Sequence, residues 1–361
     1  MEQTKTEKHA WLYDLLFILV LLMAGYLRFA GSDWGEGYHQ HPDELFLSGV
    51  LGALDAQACE LENVPVDLCP EDQKRWLNPL EYFDTAKSPL NPHNRGYSFF
   101  VYGNLPMTLL RVTSEAFGMD DLGTQKLFAR QMSALVDLLT IFVLYLIVSN
   151  LYGRRIALFA AAFSALTVMQ IQQSHFFTTD LYVNLFMFLA ILFAVEIVKR
   201  ENRERRVENG EQPNPLFSNR PFLNHLISNY LTNPLLWLSI GFGWMLGMAM
   251  ASKINAAALA IMLPGAFVIR YFVHDRKNET LAADDRSLST DYWSLITVFL
   301  IAGGLATLLS FRIFQPYAFE GLGLNVQWIS NIMEQRRQAA GSDLPWNLQW
   351  ARRSHLYSFE N

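Results

Sequence analysis

The sequence predicts an all-α membrane protein, a multi-span helical bundle whose long first outer loop carries surface helices. Three observations predict it. Residues 11–30 form a mostly apolar run, and about 20 such residues cross a bilayer as a helix. Charged residues make up only 17% of the chain, against about 25% in an ordinary soluble domain. The deficit is uneven, with long apolar stretches alternating with charged segments as spans alternate with loops.

The first span, 11–30, reads as an uncleaved signal anchor. Its apolar run is too long for a signal h-region, and Arg28 stands where a cleavage site needs a small residue. Further spans are predicted at 131–149, 156–172, 181–198, 235–251, 254–272 and 293–311. Residues 98–113 are apolar, but Asn104 and Pro106 interrupt them and Arg111 follows. Charge decides between the topologies. With 98–113 lying on or dipping into the membrane surface, the inner side holds Lys5, Lys8, Arg154, Arg155, the arginine-rich linker 199–234 and the segment from Arg270 to Arg286. The outer connection 173–179 then has no Lys or Arg. The transmembrane domain is expected over 1–320, with 31–127 as an outer loop within it.

Cys59 and Cys69 both fall in that outer loop, where disulfides persist. A bridge and two free thiols are both compatible with the sequence. Asn278 begins a glycosylation sequon but falls on the inner side. The net charge of −6 argues against a nucleic-acid partner. The chain has no glycine-rich phosphate loop, which argues against an ATP-driven pump.

Chemistry-bearing residues gather at the outer ends of the spans. His39, His41, Asp43 and Glu44 follow the first span. Pro42, Asp43 and Glu44 suit the first turn of a surface helix whose apolar face is Leu45, Phe46, Val50 and Leu54. That accounts for the acids but not for the histidines. An outer carboxylate can serve as a general base, and His41 with Glu44 can hold a divalent ion. His175 and Asp180 lie at the outer end of the third and fourth spans. Lys253 and Arg312 sit at outer boundaries, where a cation either snorkels to water or binds a lipid phosphate. Asp137 lies inside the second span, where an acid is by default a functional candidate. Its expected partner is Arg130, two turns earlier.

The order of these motifs carries more than any one of them. After the acidic pair come Gly103-Asn104-Leu105-Pro106, then Gln172-Gln173-Ser174-His175-Phe176 leading to Asp180, then Ala251-Ser252-Lys253-Ile254-Asn255, then Arg312-Ile313-Phe314-Gln315-Pro316-Tyr317. From about Trp11 to Tyr317 the chain resembles the GT-C superfamily of integral-membrane glycosyltransferases. It is most similar to the polyprenyl- or dolichyl-phosphate-sugar-dependent branch, related to protein O-mannosyltransferases and lipid A aminoarabinose transferases. The resemblance implies a sugar donor on a polyprenyl phosphate, a hydroxyl acceptor and an inverting displacement at the outer face of a bacterial plasma membrane. Asp43, with Glu44 beside it, would activate the acceptor. His41, His175, Asp180, Lys253, Arg312, Gln315 and Tyr317 would contact substrate. No cofactor is required, though some members use a divalent metal, and membrane lipid is the other partner. Such proteins carry further spans, so 321–361 is expected to begin an outer loop of a truncated chain. The competing reading is a secondary transporter in which Asp137 and Asp180 relay ions. It is disfavoured by the absence of an inverted repeat. A non-catalytic assembly protein would not need the acidic pair.

Overall fold

A computed structural model describes residues 10–35, 41–61, 66–119, 121–200, 231–275 and 286–340. His39, Lys5, Lys8, Asn278, most of the linker 199–234 and the end of the tail lie outside those residues. The described chain is a multi-span bundle of α-helices with two short antiparallel strand pairs in its loops.

The first helix, α1 (Ala10–Phe29), is apolar except for Asp14 near its start and Arg28 in its last turn. Its 20 residues rise about 30 Å, the thickness of a bilayer core. α2 (Pro42–Ala53) begins with Pro42 in its first turn, and the Nδ1 of its N-cap residue His41 accepts from the Asp43 N–H at 3.2 Å. In the long loop after α1, β1 (Gln57–Cys59) pairs with β2 (Lys74–Trp76), and a disulfide joins Cys59 to Cys69. A five-residue helix, α3 (Pro79–Phe83), starts in a capping box between Asn78 and Glu81. The ambiguous region 98–113 divides into an irregular segment and α4 (Asn104–Ala116). Its 13 residues reach only about 20 Å, too short to span.

Asp121 caps α5 (Leu122–Tyr152) by accepting from Gly123 and Thr124. With 31 residues, α5 is about 46 Å long. Its first two turns therefore project beyond the apolar stretch predicted at 131–149. The stretch predicted at 156–172 is broken at Thr167, with α6 (Arg154–Leu166) and α7 (Val168–Ser174) meeting at a 59° bend. α8 (Asp180–Lys199) and α9 (Pro234–Ser252) follow. The next apolar segment starts as 3₁₀ turns (Ile254–Ile261) and continues as α10 (Met262–Arg270). The last apolar helix is α11 (Arg286–Phe314). Past β3 (Phe319–Glu320) and β4 (Gly323–Leu324) comes α12 (Val326–Ala340).

Small residues spaced four apart bring α9 and α11 close together. Ser239, Gly243, Gly247 and Ala251 line one face of α9. A Cβ at Gly243 would collide with the Gly303 carbonyl, and one at Gly247 would lie 2.6 Å from the Thr307 carbonyl. Close backbone approach of this kind is how spans pack where lipid offers no hydrophobic drive.

The alternating helix directions sort the loops into two ends. At one end Arg154 pairs with Asp14 at 3.3 Å, the Asn150 amide donates to Glu196 at 2.6 Å, and Arg270 donates to the Ile197 carbonyl at 3.1 Å. The other end gathers the long loop after α1, the turn between α7 and α8, Lys253 and the segment after α11. All the candidate site residues are at that end.

Candidate active site

The irregular segment before α4 is fixed to the end of α9. The Gly103 N–H donates to the Ser252 carbonyl at 3.0 Å. A Cβ at Gly103 would overlap the Ala251 carbonyl, so the close approach requires glycine. The Asn104 N–H donates to the Gln315 side-chain oxygen at 2.5 Å. Tyr102 is thereby held against α2, its ring centroid 5.8 Å from that of Phe46.

The structure separates the two acids of the pair. Glu44 is fully buried and accepts both arms of the Arg130 guanidinium, at 2.6 and 2.7 Å. It also accepts the Phe177 N–H at 3.0 Å. Arg130 donates in turn to the carbonyls of Ser32 and Trp34, each at 3.0 Å, and lies over the Trp34 ring. One sealed pair thus ties α2 and α5 to the loop after α1 and the turn before α8. The sequence reading sets Glu44 beside Asp43 in the chemistry. Its oxygens are committed to the fold, and a bidentate Arg–carboxylate contact in a dry site is a positioning device. Asp43 is half-buried.

Asp180, in the first turn of α8, pairs with Lys253, the C-cap residue of α9, at 2.5 Å. Burial, then the nearby Asp43 charge, then more weakly Asp180, pushes the Tyr102 phenol well above its usual range. Tyr102 therefore stays protonated and remains a donor. Tyr102 thus lies within electrostatic reach of both Asp43 and Asp180, and Asp180 carries the Lys253 ammonium, so two carboxylates, a phenol and an ammonium gather at this end. On the segments that carry them, the Asn104 Nδ2 and the hydroxyls of Thr178 and Thr179 are buried without a partner. Buried polar atoms left so call for an explanation, and a polar ligand supplies one.

The other sequence candidates have protein partners. His175 contacts two backbone carbonyls, Ile171 through Nδ1 at 2.7 Å and Ala30 through Nε2 at 3.0 Å. It fastens α7 to the end of α1. The Tyr317 hydroxyl shares a hydrogen bond with Ser88 at 2.8 Å, and burial raises its phenol pKa. Gln315 holds the start of α4. Arg312 donates to the carbonyls of Pro316 and Gly321, each at 3.2 Å, and covers the Phe319 ring. These four shape the loops around the cluster. The expected match of Lys253 with Arg312 as two phosphate cations becomes a single half-exposed lysine beside Asp180.

Of the His41–Glu44 pair read as able to hold a divalent ion, both oxygens of Glu44 and one ring nitrogen of His41 have protein partners. The Nδ1 of His41 caps α2, and Glu44 is saturated by Arg130 and Phe177. Among the described residues no group of three or more His, Cys, Asp or Glu is placed to share a metal. Asp137 does not pair with Arg130. It takes Arg28 of α1 at 2.6 Å, and Arg28 also donates to the Ala165 carbonyl at 3.0 Å. An acid sealed in this way is not an open step in an ion relay. Sequence reading missed Tyr102, one aromatic in a run with Phe99 and Phe100. It also missed Arg28, which it read only as an obstacle to cleavage.

Residues 116–206 match a family model described as dolichyl-phosphate-mannose-protein mannosyltransferase. The match covers about a quarter of the chain, from the end of α4 through α8. It includes Arg130, Asp137, His175 and Asp180. Comparison with curated proteins and with solved structures found no match. With the multi-span helical fold, the family match supports a multi-pass membrane glycosyltransferase of the GT-C kind. The donor in the matched family's description is dolichyl-phosphate mannose.

Proposed function

We propose that this protein moves a sugar from a polyprenyl-phosphate carrier to an acceptor hydroxyl at the extracytoplasmic face, inverting the anomeric configuration. The observation that carries the reading is the half-buried Asp43 carboxylate in the first turn of α2, with Tyr102 within electrostatic reach of both Asp43 and the Asp180 that pairs with Lys253. Asp43 takes the acceptor's proton as general base. The acceptor oxygen then forms a bond to the anomeric carbon while the bond to the phosphate oxygen breaks. The carrier phosphate leaves with the electron pair. Lys253 turns from Asp180 toward that phosphate as its charge grows, the moment at which a cation contact stabilises most. Asn104, Thr178 and Thr179 supply further polar contacts.

Two features support the sidedness. Arg154, Arg155, Lys199, Arg200 and Arg270 lie at the end away from the cluster, as cytoplasmic ends do. The Cys59–Cys69 bridge lies at the cluster's end, as suits an oxidising compartment. Donors of the bacterial polyprenyl type are the first to try.

The test is transfer of labelled sugar from polyprenyl phosphate in sealed right-side-out vesicles. Wild type is expected to yield product that is open to attack from outside. Asp43→Asn should lose turnover by at least about a hundredfold while inserting normally. Near wild-type turnover by Asp43→Asn sinks the assignment of the base, and product found only inside sinks the sidedness.

A further inference from the structure

The lipid-facing side of α11 can be read from exposure. Ile301, Leu305, Leu308 and Leu309 stand open, at the three- and four-residue spacing that puts them on one face of the helix. On a spanning helix such a stripe lies against acyl chains. Arg312 comes next on the same face, one turn beyond Leu308 and Leu309. A cation that ends an apolar stripe lays its stem along it and brings its head to the polar level of the membrane.

That head is bonded to the hairpin of β3 and β4. Arg312 donates to the Gly321 carbonyl at the hairpin's tip, at 3.2 Å, and covers the Phe319 ring at 4.7 Å. Asn325 closes the hairpin by donating its N–H to the Ala318 carbonyl at 2.9 Å. Trp328, at the start of α12, packs on Phe311 of α11 with ring centroids 6.1 Å apart. The tip is thereby drawn to the lipid-facing side of α11. There Leu322 is fully exposed, and Leu324 and Val326 are open as well. Phe319 pairs with Leu324, and Glu320 with Gly323. Paired residues share a face and successive residues alternate, so the Glu320 carboxylate projects from the face opposite Leu324.

We propose that this hairpin dips into the bilayer, Leu322 foremost, at the end of the bundle that holds the candidate site. The proposal rests on the multi-span fold and not on the transferase reading. The occupant is lipid because the open side chains continue the stripe that acyl chains already cover, and because Arg312 sets the tip at headgroup depth. Membrane-surface elements bury their apolar side about 5–10 Å into the headgroup–acyl boundary. The hairpin would also fix the height of the long loop after α1. The Thr85 hydroxyl donates to the Phe319 carbonyl at 2.7 Å, and the Tyr82 hydroxyl to the Ile313 carbonyl at 2.9 Å.

The test uses the full chain in lipid nanodiscs. The two cysteines of the chain are joined to each other, so Leu322→Cys supplies a single free thiol at a side chain on which nothing packs. An environment-sensitive dye there should emit to the blue of the same dye at Asp72→Cys, an exposed position of the long loop. It should be quenched by a nitroxide near the head of the lipid acyl chain and spared by aqueous iodide. A dye could seek lipid by itself, so the bare thiol is measured too. Its reaction with a charged maleimide should be severalfold slower at Leu322→Cys than at Asp72→Cys, since an apolar setting raises a thiol's pKa and removes the reactive thiolate. Iodide quenching without nitroxide quenching, or equal maleimide rates, would put the tip in water and overturn the proposal. Protection from both quenchers would mean that protein covers the tip, another segment or a second copy, and overturns it equally.

Discussion

Arg130 with Glu44 and Lys253 with Asp180 are neighbouring ion pairs at the same end of the bundle, and they differ in access to water. Both side chains of the first pair are sealed, at 0% exposure. In the second, Lys253 keeps 31% and Asp180 47%. The first pair has its hydrogen-bonding capacity filled from four chain segments, so any rearrangement would leave a charge buried alone. The second is a single contact with solvent on both sides, and it can open to admit a ligand at modest cost. A sealed pair holds a site's shape, whereas an open pair can exchange one partner for substrate. Asp43 and Glu44 are adjacent in sequence, but the backbone of α2 turns one toward each kind of surroundings.

The largest effect should come from breaking the sealed pair. Arg130→Ala leaves the buried Glu44 carboxyl with no cation, a change that costs about 3–5 kcal/mol. It should show as poor accumulation and a lowered melting midpoint in detergent. Glu44→Gln keeps the shape and leaves Arg130 uncompensated, so it should be destabilising as well. If either variant melted like wild type and merely turned over slowly, Glu44 would belong with the chemistry and the contrast would fail.

The open pair should respond in the opposite way. Lys253→Ala removes a half-exposed ion pair worth about 1 kcal/mol or less, so its melting midpoint should stay close to wild type. Donor binding should weaken about tenfold or more, since a charge-assisted contact to phosphate is lost. Affinity for a polyprenyl-phosphate sugar, measured beside the melting curve, decides. Unchanged affinity would mean that Lys253 only snorkels.

How much of this was legible in the sequence follows from the range of each interaction. The apolar segments were readable because bilayer thickness imposes a length on each helix independently of its neighbours. The bend at Thr167 was not, since the hydropathy of 156–172 is continuous across it. Arg130 and Asp137, seven residues apart on α5, share a face, and the spacing invited a pairing. Each instead finds a partner on another element, Glu44 86 residues away and Arg28 109 away. Nothing local marks such partners. The split between Asp43 and Glu44 was hidden for the same reason. Gln315 and Tyr317 lie in a polar, motif-like run, but what they bind is the loop around them. Asp180 and Lys253 were each singled out, but the contact between them depends on how α8 and α9 pack.

The smallest expected effect comes from a third pair, Arg75 with Glu81, which extends the comparison to the wet part of the long loop after α1. Their side chains are 37% and 33% exposed. The Arg75 side chain, then the Asn78 N–H, holds the Glu81 carboxyl down from 4.5 to about 2. A carboxyl depressed on folding stabilises the fold above its unfolded value, and the contribution is lost as pH falls toward the folded one. The window is therefore from about pH 4.5 down to about pH 2. Water screens so open a contact, so the Glu81→Gln melting midpoint at neutral pH should lie within about a degree of wild type. The difference should shrink further as the pH is lowered through that window. If Glu81→Gln instead matched Arg130→Ala in its loss of stability, exposure would not be what separates the pairs. The assignment of Lys253 as the exchangeable cation would then lose its physical basis.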